Sequence, residues 1–325
     1  MNYWWVNHKQ TFRQEFGGKY VWCPKLRKDG QLHHFYETVR EVKPGDLVFS
    51  YANAALQGSG FATTHCYSCP RPNEFGQVGD AWDLKGWRAD VNFQAFQTPL
   101  RTSEHAKLIA PLLPSRYAPI KANGFGNQGA YFSKIDRELA MLLAELADPK
   151  LCLMLNSSLV ESAELLIEME LPAIQNWEDQ QQEQIKITAG ISETTRTALV
   201  QARVGQGAFK RNVNRYERAC RLTQVDNPTY LIASHIKPWR ESNNEQRLSA
   251  GNGLMLTPSI DHLFDRGFIS FDNSGELIKS PVADKVSIKR MGIDTDKVIN
   301  VGHFNTDQKH FLDYHRKEIL LKSAS

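Results

Sequence analysis

The chain has 325 residues, with 39 Lys and Arg against 36 Asp and Glu, for a formal net charge of +3. That length suits two domains, each able to bury its own core, and the apolar and charged fractions, 41% and 23%, are those of an ordinary globular protein. No apolar run of about eighteen residues occurs, which excludes a membrane-spanning helix, and five irregularly spaced cysteines suit a reducing cytoplasm better than a disulfide framework.

The opening residues Met1–Lys9 lack the charged start and apolar core of a secretory signal, so a cytoplasmic location is expected. Tyr3–Asn7 reads as a strand, Lys19–Trp22 as a second, and Val42–Tyr51 as a Pro-Gly-Asp turn running into a buried strand. Phe61–Thr64 and Trp87–Phe93 continue the pattern. Short strands separated by Gly, Pro and Asp turns predict a small, strongly bent β-barrel. Trp4, Trp5, Trp22, Trp82 and Trp87 all precede residue 100, which is rich for a core of this size. Trp5 and Trp87 read as core. Trp22 with Pro24, Trp82 and Tyr131 fall in turn-rich contexts, where an exposed ring is costly unless something stacks on it. The one CxxC, Cys66–Cys69, has no second pair, so no structural zinc is expected.

Three segments in this region carry a family likeness: V-K-P-G-D-x-V-x-x-Y ending at Tyr51, W-x-P-K beginning at Trp22, and G-W-R-x-D-V beginning at Gly86. Together they resemble the EVE domains of the PUA superfamily, over about residues 1–147. The resemblance implies a pocket that receives a flipped nucleobase, with Pro24 and Trp82 as walls, Tyr131 as a third side, and Trp22 and Tyr36 in reserve. Flipping is needed because no side chain can enclose a base that stays stacked in a duplex.

Residues 148–200 read as a helical, acidic linker. Leu139–Leu146 and Leu159–Leu171 have helical character, interrupted at Asp148-Pro149 and Leu171-Pro172. Residues 136–184 carry eleven acidic side chains against Arg137 and Lys150, leaving a net charge of +12 for the rest. A near-neutral total thus conceals basic working surfaces and an acidic connector able to lie over one of them. Farther on, Gly205–Phe209 opens a helix in which Phe209, Val213, Tyr216 and Cys220 recur at helical spacing. Arg211, Arg215 and Arg218 lie on another face, suited to phosphates. The Gly-Gln-Gly run has no G-K-S/T and no βαβ pattern after it, which excludes a nucleotide loop.

Between Tyr230 and Phe271 an apolar strand delivers His235, a polar loop leads to Asn252 and the short strand Gly253–Leu256, and a helix opened by Thr257-Pro258 carries Asp261. Phosphodiester hydrolysis needs an activated water, and a near-neutral imidazole such as His235 suits its deprotonation. Carboxylate oxygens, as on Asp261, suit a hard cation such as Mg2+. Asp265, one helical turn on, can face the same ion or serve as a structural carboxylate. Asn252 suits bridging of the loop backbone. His262 competes as a ligand, although it projects about 100° away round the helix.

Order and spacing here resemble the HNH (ββα-metal) nuclease family, in its variant with a Ser-His strand and an N-G-L…L-F-D-x-G tail. The resemblance puts His235 at the general-base position, Asn252 at the middle Asn, and Asp261, nine residues later, at the third motif position. It implies Mg2+ as cofactor, with Mn2+ able to substitute, held by Asp261 and Asp265, and DNA phosphates contacted by Arg211, Arg215, Arg218, Lys237 and Arg240. Ser234 departs from the family, in which an Asp or His ligand often precedes the base, so the set of protein ligands is small. Beyond this core, Phe268–Asp272 and Glu276–Lys279 read as a hairpin, and a final helix over about 306–322 places His315 in a core.

The expected fold is α+β: an N-terminal PUA-like (EVE) bent β-barrel over 1–147, a helical linker over 148–200, and a C-terminal ββα-metal (HNH) nuclease domain over 201–325. Likeness to the EVE–HNH enzymes over the whole length implies a modification-dependent restriction endonuclease. Its implied partner is double-stranded DNA carrying 5-methylcytosine or 5-hydroxymethylcytosine. Such sites cut one strand at a time, so a double-strand break implies sequential visits or a homodimer. Two other readings share these residues: a modified-base binder with an inactive HNH domain, and a toxin-like nuclease with little modification preference.

Overall fold

Tyr3–Asn7 (β1) is buried at successive positions, as a strand covered on both faces must be. The computed structural model describes residues 1–79, 82–156 and 171–322, and the chain divides near residue 170, with Leu171–Leu321 as the second compact unit. In the first unit β1 is followed by α1 (Phe12–Gly18), β2 (Tyr20–Pro24), α2 (His34–Glu37), β3 (Leu47–Ala52), β4 (Ala55–Ala62), β5 (Tyr67–Pro70) and β6 (Lys85–Leu100). Then come α3 (Ala106–Ile109), β7 (Phe132–Ile135), α4 (Arg137–Ala147) and α5 (Pro149–Asn156).

One seven-stranded sheet runs β2-β6-β4-β3-β1-β7, with β5 added beside β6. Only β1 and β3 pair in parallel among the described residues. The expected barrel is instead an open, curled sheet: the path starts at β2 and ends at β7, and no pairing joins those ends among the described residues. The reason lies in β6. Its first part pairs with β2 and β5 and its second part with β4, so the sheet turns along one long strand instead of closing. Register shifts at Ser50/Tyr51 and Leu56/Gly58 add local twist.

The Pro-Gly-Asp turn has a specific task. Asp46 is buried and accepts from Asn2 N (2.7 Å), the Trp4 indole N–H (2.9 Å) and Lys43 N (3.1 Å), tying the first strand to the third. On one side of the sheet, Leu139, Ala140, Leu143 and Ala144 of α4 join Trp5, Leu47 and Phe49 in one core, with Leu151 and Leu155 of α5 added to it. Trp4, Trp5, Trp22 and Trp87 are all buried. Trp22 therefore lies inside β2 and not in an exposed loop, its ring covered by Phe75 at 5.6 Å and Trp82 at 6.2 Å.

The second unit contains α6 (Pro172–Ile187), α7 (Glu193–Arg203), α8 (Gly207–Val213), β8 (Ile232–His235), α9 (Asn244–Leu248), β9 (Gly253–Leu256) and α10 (Pro258–Asp265). The hairpin β10 (Ile269–Phe271) and β11 (Leu277–Lys279) follows, then α11 (Lys285–Arg290) and α12 (Thr306–Glu318). The linker expected over 148–200 is divided between the units. Its start packs as α5 in the first core, whereas α6 and α7 bury Trp177, Ile185, Leu199 and Ala202 in the second unit. Most of the helix expected over Leu159–Leu171, with Glu161, Glu164, Glu168 and Glu170, lies outside the described residues.

The Gly-Gln-Gly run is a tight joint between α7 and α8. Gly205 and Gly207 have φ of +63° and +66°, and a Cβ at Gly205 would meet the Ala233 carbonyl at 2.5 Å. The helix expected to run on to Cys220 stops at Val213, where i→i+3 bonds from Arg215 N and Tyr216 N tighten the chain into turns. Phe209, Val213 and Cys220 are buried as expected, but Tyr216 is 68% exposed. The last helix ends at Glu318, with His315 fully buried between Ser270 Oγ (2.9 Å) and the Phe264 carbonyl (3.0 Å). Truncating Leu143 to Ala removes a fully buried side chain and is expected to lower stability by about 2–5 kcal/mol in urea unfolding. A loss below about 0.5 kcal/mol, the scale of surface substitutions, would remove Leu143 from the core.

Candidate functional site

His235 ends β8, and the loop after it returns so that three features lock the ring. The imidazole stacks on Phe209 with centroids 3.9 Å apart and planes 5° from parallel. Its Nε2 lies 3.0 Å from the Arg247 carbonyl. A carbonyl can only accept, so Nε2 carries the hydrogen and Nδ1 keeps its lone pair. Burial pushes the imidazole down to about 4, against a smaller opposing effect of that carbonyl, so His235 is neutral near pH 7.

The loop is held by Asn252, which is fully buried. Its oxygen accepts from Lys237 N at 2.7 Å, and its amide donates to the carbonyls of Lys237 and Gln246, both at 3.1 Å, and to Ser242 Oγ at 3.3 Å. With its amide fully engaged, Asn252 positions the loop and does not line the cleft beside His235.

That cleft encloses about 290 Å³ and is lined by Ser234, His235, Asp261, Asp265, Arg240 and Glu178, among others. Burial raises the Asp261 carboxyl to about 6; a hydrogen bond from Ser234 opposes the rise and the nearby Asp265 adds to it. Ser234 thus bonds to the Asp261 carboxylate across the cleft that both line. Asp265 lies 3.6 Å from Arg240 Nη1, a loose ion pair. His262 is exposed and does not line the cleft. Among the described residues no group of three or more His, Cys, Asp and Glu could hold a metal ion by itself. The donors present still fit a hard cation bound by one carboxylate, water and substrate oxygens, because a cation would offset the desolvation that raises Asp261.

Of the residues expected on phosphates, Arg211, Arg215 and Arg218 are exposed, on α8 and the turns after it. Lys237 is half-buried, with Nζ 2.9 Å from Gln246 Oε1 and over the Tyr314 ring. Arg240 is buried and lies 3.4 Å from Glu178, so it faces the cleft and not an open surface.

In the first unit Trp22, Pro24, Tyr36, Trp82 and Tyr131 line one cavity of about 320 Å³. The Trp22 and Trp82 rings are 6.2 Å apart and inclined by 30°, and Tyr36 meets Tyr131 edge-on at 6.3 Å. The Tyr131 hydroxyl lies 2.5 Å from Glu15 Oε2 and 2.8 Å from the Trp22 carbonyl, while the hydroxyl oxygen accepts from Trp22 N at 3.0 Å. Gly86 makes the site possible: a Cβ there would stand 2.3 Å from the Trp22 indole. Cys23 and the segment Asn7–Thr11 supply the polar remainder of the lining. Only the position of that segment, a polar run directly after an apolar strand, marks it in the sequence.

Glu178 and Arg203 also line the cleft of the second unit and were not anticipated. The usable signal was Trp177: one large apolar residue in a Gln- and Glu-rich helix marks a face that must pack against something.

The titrations of the second unit work in one main direction. His235 and His315 are both pushed down to about 4 by burial, so between about pH 4 and 6.5 the unfolded chain binds more protons and stability rises with pH. Asp261, raised to about 6, acts oppositely between about pH 4 and 6, as one group against two. Urea midpoints of the intact protein are expected to climb from pH 4 to 6.5, and His315→Gln should flatten that climb. Identical slopes for both proteins would contradict the buried neutral imidazole.

Among solved structures, a Rhodopseudomonas palustris protein determined by NMR is 15% identical, with 45% of this chain and 93% of that one covered and a TM-score of 0.30. An ASCH protein from Zymomonas mobilis is 11% identical over 45% of this chain and 96% of that one, with a TM-score of 0.28. No curated protein sequence matches the chain. Residues 220–272, which include His235, Asn252, Asp261 and Asp265, match the family described as HNH endonuclease.

Proposed function

We propose that this chain is a modification-dependent DNA endonuclease. In this reading the Leu171–Leu321 unit hydrolyses phosphodiesters, and the first unit holds a flipped 5-methylcytosine or 5-hydroxymethylcytosine. The observation that carries it is the meeting of a tautomer-locked imidazole and a desolvated carboxylate in one cleft, within residues that match HNH endonuclease.

The chemistry follows from the side chains. His235 Nδ1 takes a proton from water as the water oxygen bonds to phosphorus and the bond to the leaving oxygen breaks, and that oxygen takes up a proton from solvent to leave as the alcohol. An imidazole pushed down to about 4 is a weak base in the empty cleft, but a phosphate monoanion beside it favours the protonated form and raises its basicity. Phe209 and the Arg247 carbonyl keep the ring in place, so no reorientation precedes the transfer. Asp261 would hold Mg2+, or Mn2+ in its place, with Asp265 as a second donor once released from Arg240; such an ion, when bound, offsets negative charge on the phosphate.

The aromatic cavity supports the reader role. A base ring can stack between aromatic walls, each stacked base contributing about 1–3 kcal/mol. Burying one 5-methyl group adds about 0.8 kcal/mol, and close fit extends the discrimination to about 10–200-fold. Preference, not absolute exclusion of plain cytosine, is the expected behaviour.

Plasmids with and without 5-methylcytosine, incubated with the protein and Mg2+ or Mn2+, test both halves. The methylated plasmid should be cut faster, and His235→Ala should slow cutting by about 100- to 10,000-fold. Persistent cutting by that variant would remove His235 from the chemistry. A separate binding comparison isolates the cavity: Trp82→Ala should abolish the preference for methylated duplex while leaving cleavage of plain DNA intact. Equal binding of methylated and plain duplex by the unsubstituted protein would end the reader assignment and favour a nuclease without modification preference.

A further inference from the structure

We propose, resting on the reading of the cleft as a phosphodiester site, that Arg203 and Arg240 form a phosphate-binding subsite beside His235 and Asp261. In the DNA-free protein Glu178 fills this subsite as a surrogate for the phosphate. Three separate elements bring these side chains together: Glu178 from α6, Arg203 from the end of α7, and Arg240 from the loop after β8. All three line the cleft that holds the imidazole and the carboxylate.

The Glu178 carboxylate bridges the two guanidiniums. Arg203 Nε donates to Oε2 at 3.1 Å, and Arg240 Nη1 lies 3.4 Å from Oε1. One anion between two guanidinium groups is also the arrangement in which non-bridging phosphate oxygens bind. Arg240 is poorly satisfied where it stands. Its contacts to Glu178 and Asp265, 3.4 and 3.6 Å, exceed the roughly 2.7–2.9 Å of a charge-assisted hydrogen bond. Its Nε has no hydrogen-bond partner among the described residues, although the side chain is only 6% exposed. A purely structural buried pair would close such a gap, because an unpaired buried donor is costly.

The other two members are arranged for exchange. Arg203 also donates from Nη1 to Asp179 (2.8 Å) and Gln182 (2.7 Å), so it stays oriented when Glu178 leaves. The Glu178 side chain is 22% exposed and can turn toward water without displacing α6. DNA that seats a phosphate correctly gains both guanidiniums and the open Nε of Arg240, whereas a polyanion lying elsewhere on the surface leaves the carboxylate in place.

Binding of a short fluorescent, unmodified duplex to the full-length protein, with divalent cations chelated, tests this. Glu178→Gln should tighten binding by about tenfold, within the range usual for coupled sites, and the gain should shrink as salt rises. Inorganic phosphate should compete with the duplex at lower concentration for this variant than for the parent. Arg203→Gln should weaken binding and cancel the gain, so that the double variant binds no better than Arg203→Gln alone. If Glu178→Gln does not fold, Glu178→Asp, which draws the charge back, should give a smaller tightening. Unchanged or weaker binding by whichever variant keeps the parent's melting temperature would overturn the proposal and leave Glu178 as a structural anchor, with the nuclease reading intact. A parent protein that binds no duplex at all would overturn both.

Discussion

The geometry of the second unit depends on one amide side chain. Asn252 closes the loop after His235 by bonding to Lys237, Ser242 and Gln246, and the next residue, Arg247, then presents its carbonyl to the imidazole. Aspartate at 252 would bury a charge and lose the donors for two carbonyls, and glutamine would push the same groups one methylene too far. The amide never needs to touch a substrate to be indispensable. It decides which nitrogen of a neighbouring ring bears hydrogen.

The two cavities divide the physical problem between them. One is walled by rings and proline, with Tyr131 tied to Glu15 and Trp22, and offers stacking surface at little electrostatic cost. The other is walled by opposed charges, three carboxylates and two guanidiniums around an imidazole, where removal from water makes every interaction stronger and every unpaired group more costly. One thus offers flat apolar faces and the other concentrated charge.

Much of this was legible in the residues. Short apolar runs and turn residues located β1, β2 and β3, and the spacing of His235, Asn252 and Asp261 located the strand, loop and helix that carry them. The five pocket residues were also named from the sequence, and they line one cavity. Trp22 was expected exposed at the turn-rich end of a strand, because a short W-C-P-K stretch does not reveal that the distant Phe75 covers its ring. Periodicity carried the helix past Val213 to Cys220, since a buried cysteine returning through a turn mimics one more helical step. A bent barrel was expected, and strand count says nothing about whether the end strands meet. Composition was the least reliable guide: the acidity of residues 136–184 suggested a connector, but Leu139, Leu143 and Trp177 of that stretch are buried.

That last feature redraws the limits of the scaffold behind the cleft. The Trp239 indole donates to the Leu199 carbonyl at 3.0 Å, and Arg247, whose own carbonyl orients the imidazole, reaches Gln181 at 3.0 Å. A chain severed at the position where family motifs first become recognisable would keep every signature residue and yet strip the scaffold from behind them. The motif alone is therefore not the site; two helices without any signature hold it up.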